Sequence, residues 1–334
     1  MIQLLDCTLR DGTHVNSGAF GYEKIISIIK NLSESKMDFV EIGFLRNVHY
    51  DKNFPFYPKI EKAYEILDKI GKFSDVEYAL MARADEYDLK NLSDCDGKIK
   101  YIRIAFYYDY LEKAIQFAKE VIAKGYKITL NLINTPGNDI KNLEKFIDNA
   151  NEIMPNIVTI VDTFGVLYNE ELNKIVNLYN LKLNSTIKLG LHVHENCSMG
   201  FSLAQNFIFI LKGNRDIVVD GSLMGMGRIP GNLCIELISN YLNENYNKYY
   251  NLDKMLYLID NIVKPIKEKL PWGYSPEYFL SAKYCVHRSY SEYLMKNNIM
   301  LEDIKILLSQ IDSKYAEKFN KEYIKSLLET LQKI

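Results

Sequence analysis

No apolar run in this chain is long enough to span a bilayer, and no block of lysines or arginines interrupts it. The first lack excludes a membrane-spanning reading. The second, together with a formal charge of −2, argues against nucleic acid or an anionic membrane surface as the main partner and leaves a small molecule as the default. Cysteine is sparse and odd in number: Cys7, Cys95, Cys197, Cys234 and Cys285 contain no Cys-x-x-Cys pair. Neither a disulfide framework nor a cysteine zinc site is expected, only reduced thiols. Low-complexity tracts, internal repeats and flexible linkers are also missing. Met1 leads straight into a strand-like run instead of a basic, then apolar, export signal, so a cytoplasmic protein is expected.

What is present is an ordinary globular composition, 48% hydrophobic and 25% charged over 334 residues, enough for a full core. Apolar runs of strand length alternate with amphipathic patterns: Gln3–Cys7, Phe39–Phe44, Glu77–Met81, Tyr101–Phe106, Lys127–Ile133, Ile157–Asp162, Lys188–His194 and Ile217–Ser222. Between them run helical stripes such as Ile25, Ile28, Ile29, Leu32 and Leu111, Ile115, Ala118, Ile122. Strict alternation implies parallel strands, and eight repeats close into a (β/α)₈ TIM barrel. A doubly wound open sheet is the competitor. The barrel is favoured because Arg10, Asp11, His14, Arg46, Arg83, Asp162 and Thr163 all fall just after strands, on what would be one rim. From about Leu252 the strand signal ends. The division is therefore a catalytic barrel, 1–248, and a C-terminal helical appendage, 249–334, with Met255, Ile259, Ile262, Val263, Ile266 and Leu270 forming one helix.

Histidine is scarce, five in all, yet His192 and His194 stand two residues apart in Gly190-Leu-His-Val-His-Glu-Asn196. Side chains at i and i+2 of a strand share a face, so both imidazoles can reach one ion. A carboxylate from Asp6-Cys-Thr-Leu-Arg-Asp-Gly-Thr-His14 would complete a two-histidine, one-carboxylate set with open positions for substrate. Gly12 lets the chain turn sharply and present Arg10, Asp11 and His14 to one point. Gly221 to Gly231 does not match a nucleotide-loop spacing and reads as a tight turn. His49 and His287 lack such company and read as structural or surface residues.

These two motifs, in this order, resemble the DRE-TIM metallolyases, the superfamily of barrels that includes 4-hydroxy-2-oxovalerate aldolase, isopropylmalate synthase and 3-hydroxy-3-methylglutaryl-CoA lyase. The likeness extends to Asp220-Gly-Ser-Leu-Met-Gly-Met-Gly-Arg-Ile-Pro-Gly-Asn232 and to Gly273-Tyr-Ser-Pro-Glu-Tyr278. It implies Asp11, His192 and His194 as divalent-metal ligands, with Asn232 as a further one, and Mn²⁺ or Mg²⁺ before Zn²⁺ or Co²⁺. Within the superfamily, the acyl-CoA-condensing synthases usually carry Gln where this chain has His14, and the CoA lyases use a cysteine where Met224-Gly-Met-Gly227 has none. The resemblance therefore implies a class II aldolase that cleaves or forms a 4-hydroxy-2-oxo acid. Its substrates would be a 2-oxo acid such as pyruvate and an aldehyde, with an acyl-CoA Claisen condensation as the alternative. In that reading Arg10 stabilises the enolate, His14 moves the hydroxyl proton, Thr163 binds the carboxylate, and Tyr274 or Tyr278 reaches the substrate. The appendage would dock an acylating aldehyde dehydrogenase or a second copy of the chain.

Overall fold

The β-branched and aliphatic runs become nine strands in a computed structural model that describes residues 1–331: β1 (Ile2–Asp6), β2 (Phe39–Leu45), β3 (Phe56–Tyr57), β4 (Glu77–Arg83), β5 (Tyr101–Phe106), β6 (Lys127–Leu132), β7 (Ile157–Asp162), β8 (Lys188–Val193) and β9 (Ile217–Gly221). Eight of them run parallel in the order β1-β9-β8-β7-β6-β5-β4-β2, and pairing of Leu5 with Phe39 and Asp6 with Val40 closes the ring. This is the TIM barrel the alternation predicts; the open sheet is excluded by the β1–β2 seam. β3 was not expected. Two residues long, it carries no alternation to read, and it pairs only with the end of β2.

Helices lie between successive strands and cover the barrel's outer face, so the strands are buried on both sides. The Ile25, Ile28, Ile29 and Leu32 face is buried as predicted. In Leu111–Ala123 the stripe is shifted: Val121 is buried and Ile122 is 38% exposed, because Ala114 and Phe117 move the apolar centre one position round the helix. Among the described residues no helix is long and apolar enough to cross a membrane.

Inside the barrel, Leu5, Phe39, Ala79, Tyr101, Ile157 and Val218 form a closed apolar layer. Two residues further along their strands, on the same inward face, stand Glu41, Arg103, Thr159 and Asp220, all 2% exposed or less. The barrel is thus plugged below by hydrocarbon and lined above by charge.

The C-terminal segment is helical, as expected, but its first helix is not regular. Leu252–Leu258 passes through a π-helical turn, Ile259–Val263, into Lys264–Lys269. The turn falls just before Pro265, whose ring cannot donate the N–H that an unbroken α-helix requires. Met255, Leu258, Ile262, Val263 and Trp272 join the barrel's own hydrophobic cluster. A second cluster begins at Leu280 and takes in Val286, Tyr290, Leu294, Ile304, Leu307, Leu308 and Ile324.

Candidate metal centre

β1 ends in Asp6, whose carboxylate accepts from the N–H and hydroxyl of Thr8 at 2.9 and 2.8 Å and starts a helical turn, Thr8–Asp11. Gly12 continues that helical path with φ −59°, so the predicted sharp turn is a correction: the chain winds through two short helices instead. Glycine is required there for a different reason. A Cβ would stand 2.4 Å from the Thr8 carbonyl oxygen.

This winding turns Asp11 inward, 1% exposed. Its Oδ2 lies 3.5 Å from Nε2 of His192 and 3.9 Å from Nε2 of His194. The two imidazoles sit with centroids 5.0 Å apart and planes at 80°. His194 is one residue past the end of β8, bridged to Asn232, and still shares the face of His192. Both rings are held from behind: Nδ1 of His192 faces Asp220 Oδ2 at 3.2 Å, and Nδ1 of His194 faces the Asp162 carbonyl at 2.8 Å. That arrangement leaves each Nε2 for the centre. Asn232 donates from Nδ2 to Asp11 Oδ2 at 2.5 Å.

The donors fit a divalent cation. Nε2 of His194 and Oδ1 of Asn232 are buried acceptors without a hydrogen-bond partner, which is costly for polar atoms unless something else satisfies them. Ligand atoms about 2.1 Å from an octahedral ion stand roughly 3.0 Å apart when adjacent and about 4.2 Å when opposite; the separations of 3.5 and 3.9 Å from Asp11 lie between these. Asp11, His192 and His194 are the cluster of potential metal ligands found among the described residues.

The charge state agrees with that use. Burial works against the Asp11 carboxylate, but Arg10 and His192 beside it hold it ionised, well below the usual range. Burial drives the His194 imidazole neutral, aided by His192. His192 goes the other way: burial alone would lower it, but its contacts with Asp11 and Asp220 raise it.

Behind the centre lies a closed circuit of ion pairs. Arg10 donates from Nη1 to Asp11 Oδ1 and from Nε to Glu41 Oε2, both at 2.7 Å. Arg103 donates to the same Glu41 oxygen at 2.9 Å, to Asn131 at 3.2 Å and to Asp220, which faces His192 and so returns to Asp11. Every member is less than a tenth exposed. Such buried charges are tolerated when they are paired, and here the pairing is complete in charge but not in hydrogen bonds, since Glu41 Oε1 and Arg103 Nε have no partner. Glu41, Arg103 and Asn131 were missed in the sequence. A charge at the middle of the apolar runs Phe39-Val-Glu-Ile and Tyr101-Ile-Arg-Ile was the available signal.

The circuit forms the floor of a cavity of about 150 Å³ lined by Arg10, Asp11, His14, Arg46, Thr163, His192, His194 and Arg228, among others. His14 is reached by water, its side chain 35% exposed, with Nε2 3.5 Å from Asp11 Oδ1. The surrounding walls, and then Arg228, Arg288 and Arg10, keep its imidazole neutral against the pull of Asp11. Thr163 accepts the Asn134 N–H at 2.7 Å, which leaves its own hydroxyl proton to donate. The structure does not bring the two tyrosines into this lining. Tyr274 is 60% exposed, and Tyr278 is buried with its carbonyl accepting from Asn196. His287, read from the sequence as structural or surface, is not in this lining; burial, with Arg228 and Arg288, holds its imidazole down to about 3.

A parallel (β/α)₈ barrel with a carboxylate and two histidines converging at its C-terminal rim defines the class: a TIM-barrel enzyme with a candidate divalent-cation centre. The particular family follows from residues 1–262, which match the HMGL-like profile; the chain belongs to that family of enzymes. It is 24% identical over 283 residues to a 4-hydroxy-2-oxovalerate aldolase of Stutzerimonas stutzeri, covering 80% of this chain and 77% of that one. Against a homocitrate synthase of Pyrococcus horikoshii it is 26% identical over 283 residues, covering 79% and 71%. The solved HMG-CoA lyase of Bacillus subtilis superposes with a TM-score of 0.62 at 17% identity, over 82% of this chain and 94% of that one, which bears on the fold alone. Aldolases and Claisen-type synthases thus both stand among the relatives.

Proposed function

We propose that this protein is a divalent-metal-dependent aldolase that cleaves or forms a 4-hydroxy-2-oxo acid, with pyruvate or a close relative as the enolate half. Asp11, His192 and His194, with Asn232 beside them, would hold the ion, Mn²⁺ or Mg²⁺ before Zn²⁺ or Co²⁺. When bound, that ion supplies Lewis acidity toward the ketone and carboxylate oxygens of the 2-oxo acid.

The chain's own residues do the rest. Nε2 of neutral His14 takes the proton from the C4 hydroxyl as the C3–C4 bond breaks. The C4 oxygen leaves as an aldehyde carbonyl, and the electron pair of the broken bond passes into the enolate of the 2-oxo acid. Arg10, fixed by Glu41 and Asp11, places a guanidinium where that enolate oxygen gains charge. Return of a proton to C3 completes pyruvate. Thr163 donates its hydroxyl to the carboxylate. Tyr274 and Tyr278 do not line the cavity, and the scheme does not use them.

The observation that carries the reading is His14 itself, a neutral, solvent-reached imidazole on the opposite carboxylate oxygen of Asp11 from the two histidines. The resemblance implies Gln at this position in the acyl-CoA-condensing synthases, and an amide cannot take up a proton as this imidazole can. The chain's division into a catalytic barrel, 1–248, and a helical domain, 249–334, belongs to the same proposal, with the helix from Leu252 to Lys269 as the joint between them. That domain is the surface on which an acylating aldehyde dehydrogenase or a second copy would dock, and size-exclusion chromatography of the chain alone separates self-association from a free face. The function is tested by incubating metal-loaded protein with pyruvate and an aldehyde panel and detecting adducts by mass. CoA release from acetyl-CoA and a 2-oxo acid, without adducts, would replace this reading with the synthase one.

A further inference from the structure

Arginine is rare here, seven of the 41 Lys and Arg residues, yet five of the seven line the one cavity: Arg10, Arg46, Arg83, Arg103 and Arg228. Three are neutralised. Arg10 and Arg103 belong to the circuit with Glu41 and Asp220, and Arg83 grips Asp85 through two hydrogen bonds at 2.9 and 2.7 Å. The other two are not. Among the described residues Arg46 and Arg228 make no ion pair within 4 Å, and Nε of Arg46 and Nη2 of Arg228 are buried with no hydrogen-bond partner.

Arg46 is nevertheless held. Its guanidinium lies 4.5 Å from the Phe44 ring centroid and 4.6 Å from that of Phe56, which fixes its plane but supplies no acceptor for its N–H groups. Arg228 has Arg288 as a neighbour, itself paired with Glu292, and burial with that like charge outweighs the pull of Asp11 and Glu292 and pushes it down to about 10. A protein does not gain stability from two such groups. Their charge is uncompensated even with the centre filled, since a divalent ion, the Asp11 carboxylate and one pyruvate carboxylate sum to zero. Glu86 offsets it only in part, being half exposed and 3.7 Å from Arg83.

We propose that Arg46 and Arg228 form an oxyanion subsite for the acceptor half of the substrate, so that the aldehyde carries an anionic group, a carboxylate or a phosphate monoester. This rests on the aldolase reading for the word aldehyde, but not for the anion. Phe44, Met81 and Ala105 form a small apolar cluster on the same wall, suited to the short carbon chain between the reacting carbonyl and the charge. A cavity of about 150 Å³ suits a small acid and not a nucleotide-sized ligand.

The test compares aldehydes of equal length with and without charge: butanal against 4-oxobutanoate, and glyceraldehyde against its 3-phosphate. The expected result is a kcat/KM at least about tenfold higher for one charged member of a pair, and the pair that shows it tells carboxylate from phosphate. Arg46→Met, which keeps an apolar contact on the two rings, and Arg228→Met should each lower that charged-to-neutral ratio by roughly tenfold or more, the worth of one charge-assisted hydrogen bond. Arg46→Lys should retain part of it. Equal use of charged and neutral aldehydes by the native protein overturns the proposal. Calorimetric titration with succinate and with inorganic phosphate gives a readout free of turnover: affinity should fall about tenfold in Arg46→Met, and unchanged affinity in both methionine variants overturns the subsite. Exchange of pyruvate methyl protons, measured alongside, separates the two ideas. Absent exchange with intact anion binding removes the aldolase and leaves the subsite standing.

Discussion

Glu41 is the keystone of the buried circuit, and Glu41→Gln should show it. One oxygen of this carboxylate accepts from Arg10 at 2.7 Å and from Arg103 at 2.9 Å, and the side chain is fully buried. Glutamine keeps the shape but removes the charge, leaving two desolvated guanidinium groups facing an amide. Breaking a buried pair by neutralising one partner costs about 3–5 kcal/mol. At roughly 2–4 °C per kcal/mol for a chain of this order of size, the melting midpoint should fall by about 6–20 °C. Adding Arg103→Met should recover part of that loss, because the second guanidinium is then no longer stranded; the double variant should be more stable than the sum of the singles by about 1–3 kcal/mol. Differential scanning calorimetry of the four proteins is the assay. A midpoint for Glu41→Gln within about 1 °C of the native protein, or strict additivity with Arg103→Met, would refute the claim that the circuit is a coupled unit.

His192→Ala and His194→Ala should each remove most bound Mn²⁺ by elemental analysis while the circular dichroism spectrum is kept, since neither ring supports the apolar layer below. Arg10→Ala should slow both aldol cleavage and pyruvate methyl exchange, whereas His14→Ala should slow cleavage by about 10²–10⁴ and exchange far less; equal losses in both assays would dissolve that division of roles. Gly227→Ala should weaken Mn²⁺ binding about tenfold or more in a titration, because its Cβ would stand 2.3 Å from Asn232 Nδ2 and 2.9 Å from Asp11 Oδ2.

The strands were legible because each of the eight is a predominantly apolar run, and the rim was legible because reactive residues follow those runs. His192 and His194 declared themselves by spacing alone. What the sequence hid is what requires the barrel to be closed: Glu41 on β2, Arg103 on β5 and Asp220 on β9 meet only when the ring forms, and none has a chain neighbour that predicts the others. The conformation at Gly12 was misread because a glycine needed for close approach and one needed for a turn look the same in a sequence. Likewise the hydrophobic stripe of Met255 to Ile266 was readable as a helix, but not that it packs into the barrel's own cluster, for an apolar face does not name its partner. Tyr274 and Tyr278 were chosen from a resemblance of short motifs, which fixes residue type without fixing where the side chain goes.

The central claim is that Asp11, His192 and His194 hold a divalent ion at which a 2-oxo acid is enolised. The most direct measurement is the rate at which pyruvate methyl protons exchange with D₂O, followed by proton NMR, for the native protein with Mn²⁺, after chelation, and for His192→Ala. The account predicts exchange that needs the metal, returns when Mn²⁺ is restored, and is lost in the variant. Exchange that survives chelation, or that His192→Ala performs at the native rate, would contradict it.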